Sequence, residues 1–97
     1  MDLLINRAAA RRLWGLRVSL LVAIATTLSI AVPQVQARQR EVGFAGLAAE
    51  HRLSTEQLSK VVLSVADPQL DEAVRNGVIT ERERRKLRER IRLTGTI

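Results

Sequence analysis

His51 is the only histidine among the 97 residues, and there is no cysteine. Cys–His nucleophilic chemistry and thiolate metal sites therefore have no residues to use. Carboxylates come in pairs, Asp71 with Glu72 and Glu81 with Glu83, but both pairs lie near arginine in helix-like segments. A solvated charged face accounts for them better than a catalytic dyad. His51 falls on or at the end of an apolar helical face, the place of a capping or half-buried imidazole. No glycine-rich phosphate loop is present. A non-enzymatic protein without metal or cofactor is expected. The side chains left to do chemistry are cations: Arg82, Arg84, Arg85, Lys86, Arg88, Arg90 and Arg92, set against Glu81, Glu83 and Glu89. The set formed by Arg82, Arg84, Arg85, Lys86, Arg88 and Arg92 suits docking onto an anionic lipid, an acidic envelope polymer or an acidic protein.

Those cations must be positioned by a small chain. The formal net charge is +6, shared equally between the segments 1–37 and 38–97. The only aromatic residues are Trp14 and Phe44. A platform for stacking bases needs several rings, so nucleic acid is disfavoured as a partner. Arginine far outnumbers lysine, which suits bidentate pairing to carboxylates or phosphates.

No charged residue lies between Arg17 and Arg38. Arg7, Arg11, Arg12 and Arg17 precede the apolar run Val18–Val32, and Pro33-Gln34-Val35-Gln36-Ala37 follows it. A basic leader, a short apolar core and small residues at its end are the parts of a secretory signal peptide. Val35 and Ala37 fit the −3 and −1 places, with cleavage between Ala37 and Arg38. The 15-residue run would make a helix about 22 Å long, short of the roughly 30 Å hydrocarbon core. A single-span anchor with Trp14 at the interface is the alternative, and a mitochondrial-type presequence a third. The address expected is periplasmic or extracellular, or inner-membrane anchored with the rest of the chain outside. Residues 1–37 then form the leader or anchor, and 38–97 a small helical domain.

The remainder reads as helix. Glu41–His51 places Phe44, Leu47, Ala48 and His51 on one face, with Gly43 and Gly46 weakening its start. Ser54-Thr55-Glu56-Gln57 is a capping box opening a helix to about Ala66, with Leu58, Val61, Val62 and Val65 inward. Leu53 and Leu58 fit a hydrophobic staple. Asp67-Pro68 reads as another helix start, with Leu70, Ala73 and Val74 as its apolar face. Asn76-Gly77 stops it. Thr80-Glu81-Arg82-Glu83 is a second capping box, opening a last helix to about Leu93 that buries Leu87 and Ile91. Glu81–Arg85 and Arg85–Glu89 are at pairing distance on its surface. Only Pro33–Arg40 reads as linker. The expected fold is all-α: a signal or anchor helix, then about four short helices, the last two a hairpin.

Two local patterns resemble known families. Leu47-Ala48, Leu53-Ser54, Leu58-Ser59 and Val61 resemble the helix-turn-helix signature of bacterial DNA-binding regulators, with Arg52 where that family prefers glycine. The resemblance implies that Thr55, Glu56, Gln57, Ser59 and Lys60 would face a major groove. Over a longer stretch, Leu47-Ala48, Ser54 with Leu58, Asp71-Glu72-Ala73-Val74, Gly77-Val78-Ile79-Thr80 and Leu87 with Ile91 are similar to small exported bacterial helical proteins of uncharacterised function. That likeness implies export and a helical fold. The expectation is thus a small interaction or accessory protein of the cell envelope, using its basic closing helix. The alternatives are a membrane-anchored helix-turn-helix protein and a small subunit of a membrane complex.

Overall fold

The computed structural model describes residues 11–97. The described chain holds four helices and no strand: α1 Trp14–Leu28, α2 Val32–Glu50, α3 Thr55–Arg75 and α4 Glu81–Thr94. The leader residue Arg7 lies outside the described part.

The two predicted capping boxes form. The Ser54 hydroxyl accepts from the Gln57 N–H at 3.0 Å, and the Gln57 side chain accepts from the Ser54 N–H at 2.8 Å. Thr80 and Glu83 repeat the arrangement at 3.1 and 2.8 Å. Each box satisfies N–H groups that the first helical turn leaves without partners. Gly77 closes α3 at φ 73°, as the Asn76-Gly77 pair predicts. The hairpin of α3 and α4 is antiparallel and is the most extensive helix contact. Ser59 meets Arg92, Asp67 meets Arg88, and Asp71 approaches Arg84.

Three expectations are corrected. Pro68 does not start a helix, because α3 runs unbroken from Thr55 to Arg75. An interior proline costs about 3 kcal/mol. Here Leu58, Val62, Ala66, Leu70 and Ala73 form one buried stripe through it, and burying a stripe of that length outweighs one lost hydrogen bond. Asp67 is accordingly no cap. Next, Pro33–Arg40 is helix, not linker. Pro33 is at the second helical position, where no N–H is needed, and the Gln34 side chain accepts from the Ala31 N–H at 3.0 Å. Finally, three helices follow α1 instead of four. One of them, α2, is broken at Gly43, whose φ 73° and ψ 178° lie in a region open essentially to glycine alone.

The apolar run packs as a core helix. Leu16, Leu20, Ile24 and Leu28 are buried in one cluster with Leu47, Leu58, Val62, Leu70, Leu87 and Ile91. After Leu28 the chain turns through Ser29, at φ 58°, and α2 leaves at 93° to α1. No single described helix is long and apolar enough to cross a membrane; the bent pair α1–α2 passes that test only jointly. Arg12 fixes the start of α1 to the hairpin turn. Its guanidinium donates to the Val78 carbonyl at 2.6 Å and lies 3.7 Å from the buried Glu83 carboxylate.

Candidate functional site

Several basic residues of α4 are paired with carboxylates of the chain. Arg84 bonds Glu81 at 2.9 Å and lies 3.8 Å from Asp71. Arg88 grips Asp67 through Nε and Nη2 at 2.9 and 3.3 Å. Arg92 bonds Glu89 at 3.0 Å. The α4 surface pairs therefore form at i,i+3, Glu81–Arg84 and Glu89–Arg92, and not through Arg85 as predicted. Hydrogen bonds from these arginines hold the Glu81 and Glu89 carboxyls below the usual carboxylate range and raise Arg84 and Arg92. Arg84, Arg88 and Arg92 are thus engaged with the chain's own carboxylates. Of the predicted contact surface, Arg82 and Arg85 remain exposed and Lys86 is half-buried.

The turn before α3 passes through a left-handed residue. Arg52 takes φ 59°, the left-handed conformation for which the helix-turn-helix family prefers glycine. The Arg52 and Leu53 N–H groups close α2 on the Ala49 and Ala48 carbonyls at 3.0 and 2.9 Å. The proposed groove-facing set is divided, however. Gln57 and Lys60 are exposed and Thr55 is half-buried, but Ser59 is only 5% exposed. Its hydroxyl donates to the Arg92 carbonyl at 2.6 Å beneath α4. Ser59 is therefore a hairpin clamp and faces no groove. His51 caps α2 and is half-buried.

Ala37 and Arg38, the predicted cleavage pair, lie inside α2. Arg38 bonds Glu50 at 3.2 Å through Nε and also pairs with Glu41, which ties the two halves of α2 across the Gly43 break. That bond lowers the Glu50 pKa and raises that of Arg38. Val35, at the −3 place, is fully buried.

A surface that the sequence reading did not single out lies on the outer side of α1. Trp14, Val18 and Val22 recur every fourth residue and are 62%, 47% and 49% exposed. They share one ridge, and the ridge behind them is the buried one. Arg17 lies over the Trp14 ring at 5.3 Å. A shallow groove of about 250 Å³ runs beside the ridge, between α1 and the start of α2. A larger groove of about 560 Å³ continues from it to the end of α4. Arg17, Leu21 and Gln36 line both. The i,i+4 spacing of Trp14, Val18 and Val22 is present in the sequence. It carries no signal there, because the run is apolar on every face.

Among the described residues, no group of three or more His, Asp or Glu is placed to hold a metal. No protein-family model, curated protein or solved structure matches the chain.

Proposed function

We propose that this chain is a non-enzymatic helical accessory module of the cell envelope, retained at a membrane surface by the outer ridge of α1. The observation that carries the reading is the contrast between the two sides of that helix. Leu16, Leu20 and Ile24 are enclosed by the fold, whereas Trp14, Val18 and Val22 are held at the surface. Arg17 is exposed on α1, and Arg11 is exposed just before its start. Apolar groups at acyl depth with arginine at headgroup depth are the pattern of an interfacial helix, and tryptophan favours that boundary. Each half-exposed valine would contribute about 1 kcal/mol on entering the acyl region, half the value for full burial.

Removal of residues 1–37 would uncover the face of the core that α1 covers. This packing supports retention of the apolar segment over its cleavage. The leader-like order of Arg11, Arg12 and Arg17, the apolar run and Pro33–Ala37 supports an envelope address. The same ridge also fits the reading of a small subunit whose partner helix covers it in a membrane complex.

The test is an intact-mass measurement on chain recovered from membrane and soluble fractions of its native cells. Uncleaved chain in the membrane fraction is expected, and W14S/V18S/V22S should move it to the soluble fraction with its circular dichroism unchanged. A mass corresponding to residues 38–97, or a variant that stays in the membrane fraction, overturns the reading. Retention of the variant by co-purification with a second protein would favour the complex subunit instead.

A further inference from the structure

We propose that the larger groove is a binding site for the phosphate-bearing headgroup of an anionic phospholipid, with Arg17 and Arg40 supplying the positive charge. The inference rests on the membrane reading above and names the ligand of that surface.

The argument begins with how the arginines are used. Arg38, Arg84, Arg88 and Arg92 each hold a carboxylate of the chain. Among the described residues, Arg17 and Arg40 hold none. Arg17 rests over Trp14, and Arg40 uses only its Nε, on the Gln36 carbonyl at 3.4 Å. These two open into the same groove, and no Asp or Glu side chain lines it. The other polar side chains there are Gln36, Gln39, Thr94 and Thr96. They add neutral amide and hydroxyl groups, which suit phosphate and glycerol oxygens. Guanidinium pairs phosphate bidentately through parallel N–H donors.

The shape selects a lipid over free phosphate. Through Arg17, Leu21 and Gln36 the groove runs into the smaller one, which Trp14, Val18, Val22 and Val32 line. The larger groove therefore carries Arg40 and the polar groups beside Leu21, Phe44 and Leu93, the smaller one is mainly apolar, and Arg17 lies where they join. An amphiphile with its phosphate at Arg17 and Arg40 and its chains along the α1 ridge meets both grooves. Inorganic phosphate meets only one.

The experiment is vesicle flotation with the full chain. The vesicles are pure phosphatidylcholine, or phosphatidylcholine containing about one-third phosphatidylglycerol, with binding attributed to anionic charge at about five-fold per arginine. The mixed vesicles should bind the chain more tightly, and R17Q/R40Q should weaken that binding roughly 25-fold. R52Q/R75Q removes the same charge outside the groove and should have a much smaller effect. Equal losses in the two double variants, or no loss in R17Q/R40Q, would overturn the groove site and leave the membrane reading intact. Failure of the wild-type chain to bind either vesicle would overturn both. Complete displacement by millimolar inorganic phosphate would reassign the groove to free phosphate and overturn the lipid assignment.

Discussion

Replacing Leu20 by alanine tests whether α1 belongs to the folded core. Leu20 is 0% exposed, near the middle of α1, in the same cluster as Leu58, Val62, Leu70 and Leu87. Truncating a fully buried leucine removes its transfer free energy and leaves a cavity, at a combined cost of about 3–5 kcal/mol. For a domain of this size each 1 kcal/mol lowers Tm by about 4–8 °C, so a fall of at least about 12 °C follows. V22A is the control, two residues away and half-exposed on the opposite ridge. It removes surface that is already wet, and alanine is the better helix former, so its Tm should change by no more than about 4 °C, equivalent to roughly 0.5 kcal/mol. The assay is a far-UV circular dichroism melt of both variants and wild type. Equal melting of L20A and V22A would refute the argument, because α1 would then lie outside the cooperative unit.

Gly95 should tolerate no side chain. Its φ is 72°, and an added Cβ would come within 2.4 Å of the Phe44 ring. G95A should therefore destabilise by about 2 kcal/mol or more in chemical denaturation, whereas G15A, with open space around it, should be neutral or slightly stabilising. Pro68 is exposed inside a continuous helix, so P68A should raise the unfolding free energy by up to about 3 kcal/mol and the denaturation midpoint with it; a lower midpoint would mean that the ring is needed. The pH dependence follows from Glu50, Glu81 and Glu89, whose carboxyls are held below the usual range by Arg38, Arg84 and Arg92. Their contribution is present above the ordinary carboxylate pKa of about 4.3 and is lost as pH falls through the lower folded value. Denaturant midpoints measured across acid pH should decline over that window, and E50Q should flatten part of the decline at low salt.

Part of the short-range chemistry was legible. The Ser54/Gln57 and Thr80/Glu83 boxes each need only four consecutive residues, and the Gly77 stop needs one residue with a free backbone. Leu58, Val62, Leu87 and Ile91 followed from helical spacing, because polar neighbours mark the opposite face, whereas Val61 and Val65, also expected inward, are half-buried and the buried Ala66 was not expected. Two errors came from reading local rules as decisive. Asp67-Pro68 and Pro33 are good helix starts in isolation. The stripe on either side of Pro68 is buried as one unit, and Pro33 begins α2 where a linker was expected. The charge on α4 was visible too, but not its division. Which arginines are occupied depends on Asp67 and Asp71 arriving from α3.

The sequence by itself determined the all-helical fold of the described residues, the caps that open α3 and α4, the Asn76–Thr80 turn of the hairpin and the absence of any Cys–His pair. Tertiary structure alone decided which face of α1 is buried. A run that is apolar on every face satisfies a signal peptide, a membrane anchor and a core helix equally, because composition has no direction around the helix axis. Packing against α3 buries Leu16, Leu20 and Ile24 and turns Trp14, Val18 and Val22 outward. The turn between α1 and α2 also brings Arg17 and Arg40, 23 positions apart, to the wall of one groove. A groove made of α1, α2 and the end of α4 has no counterpart in local sequence, since no short window contains residues from all three.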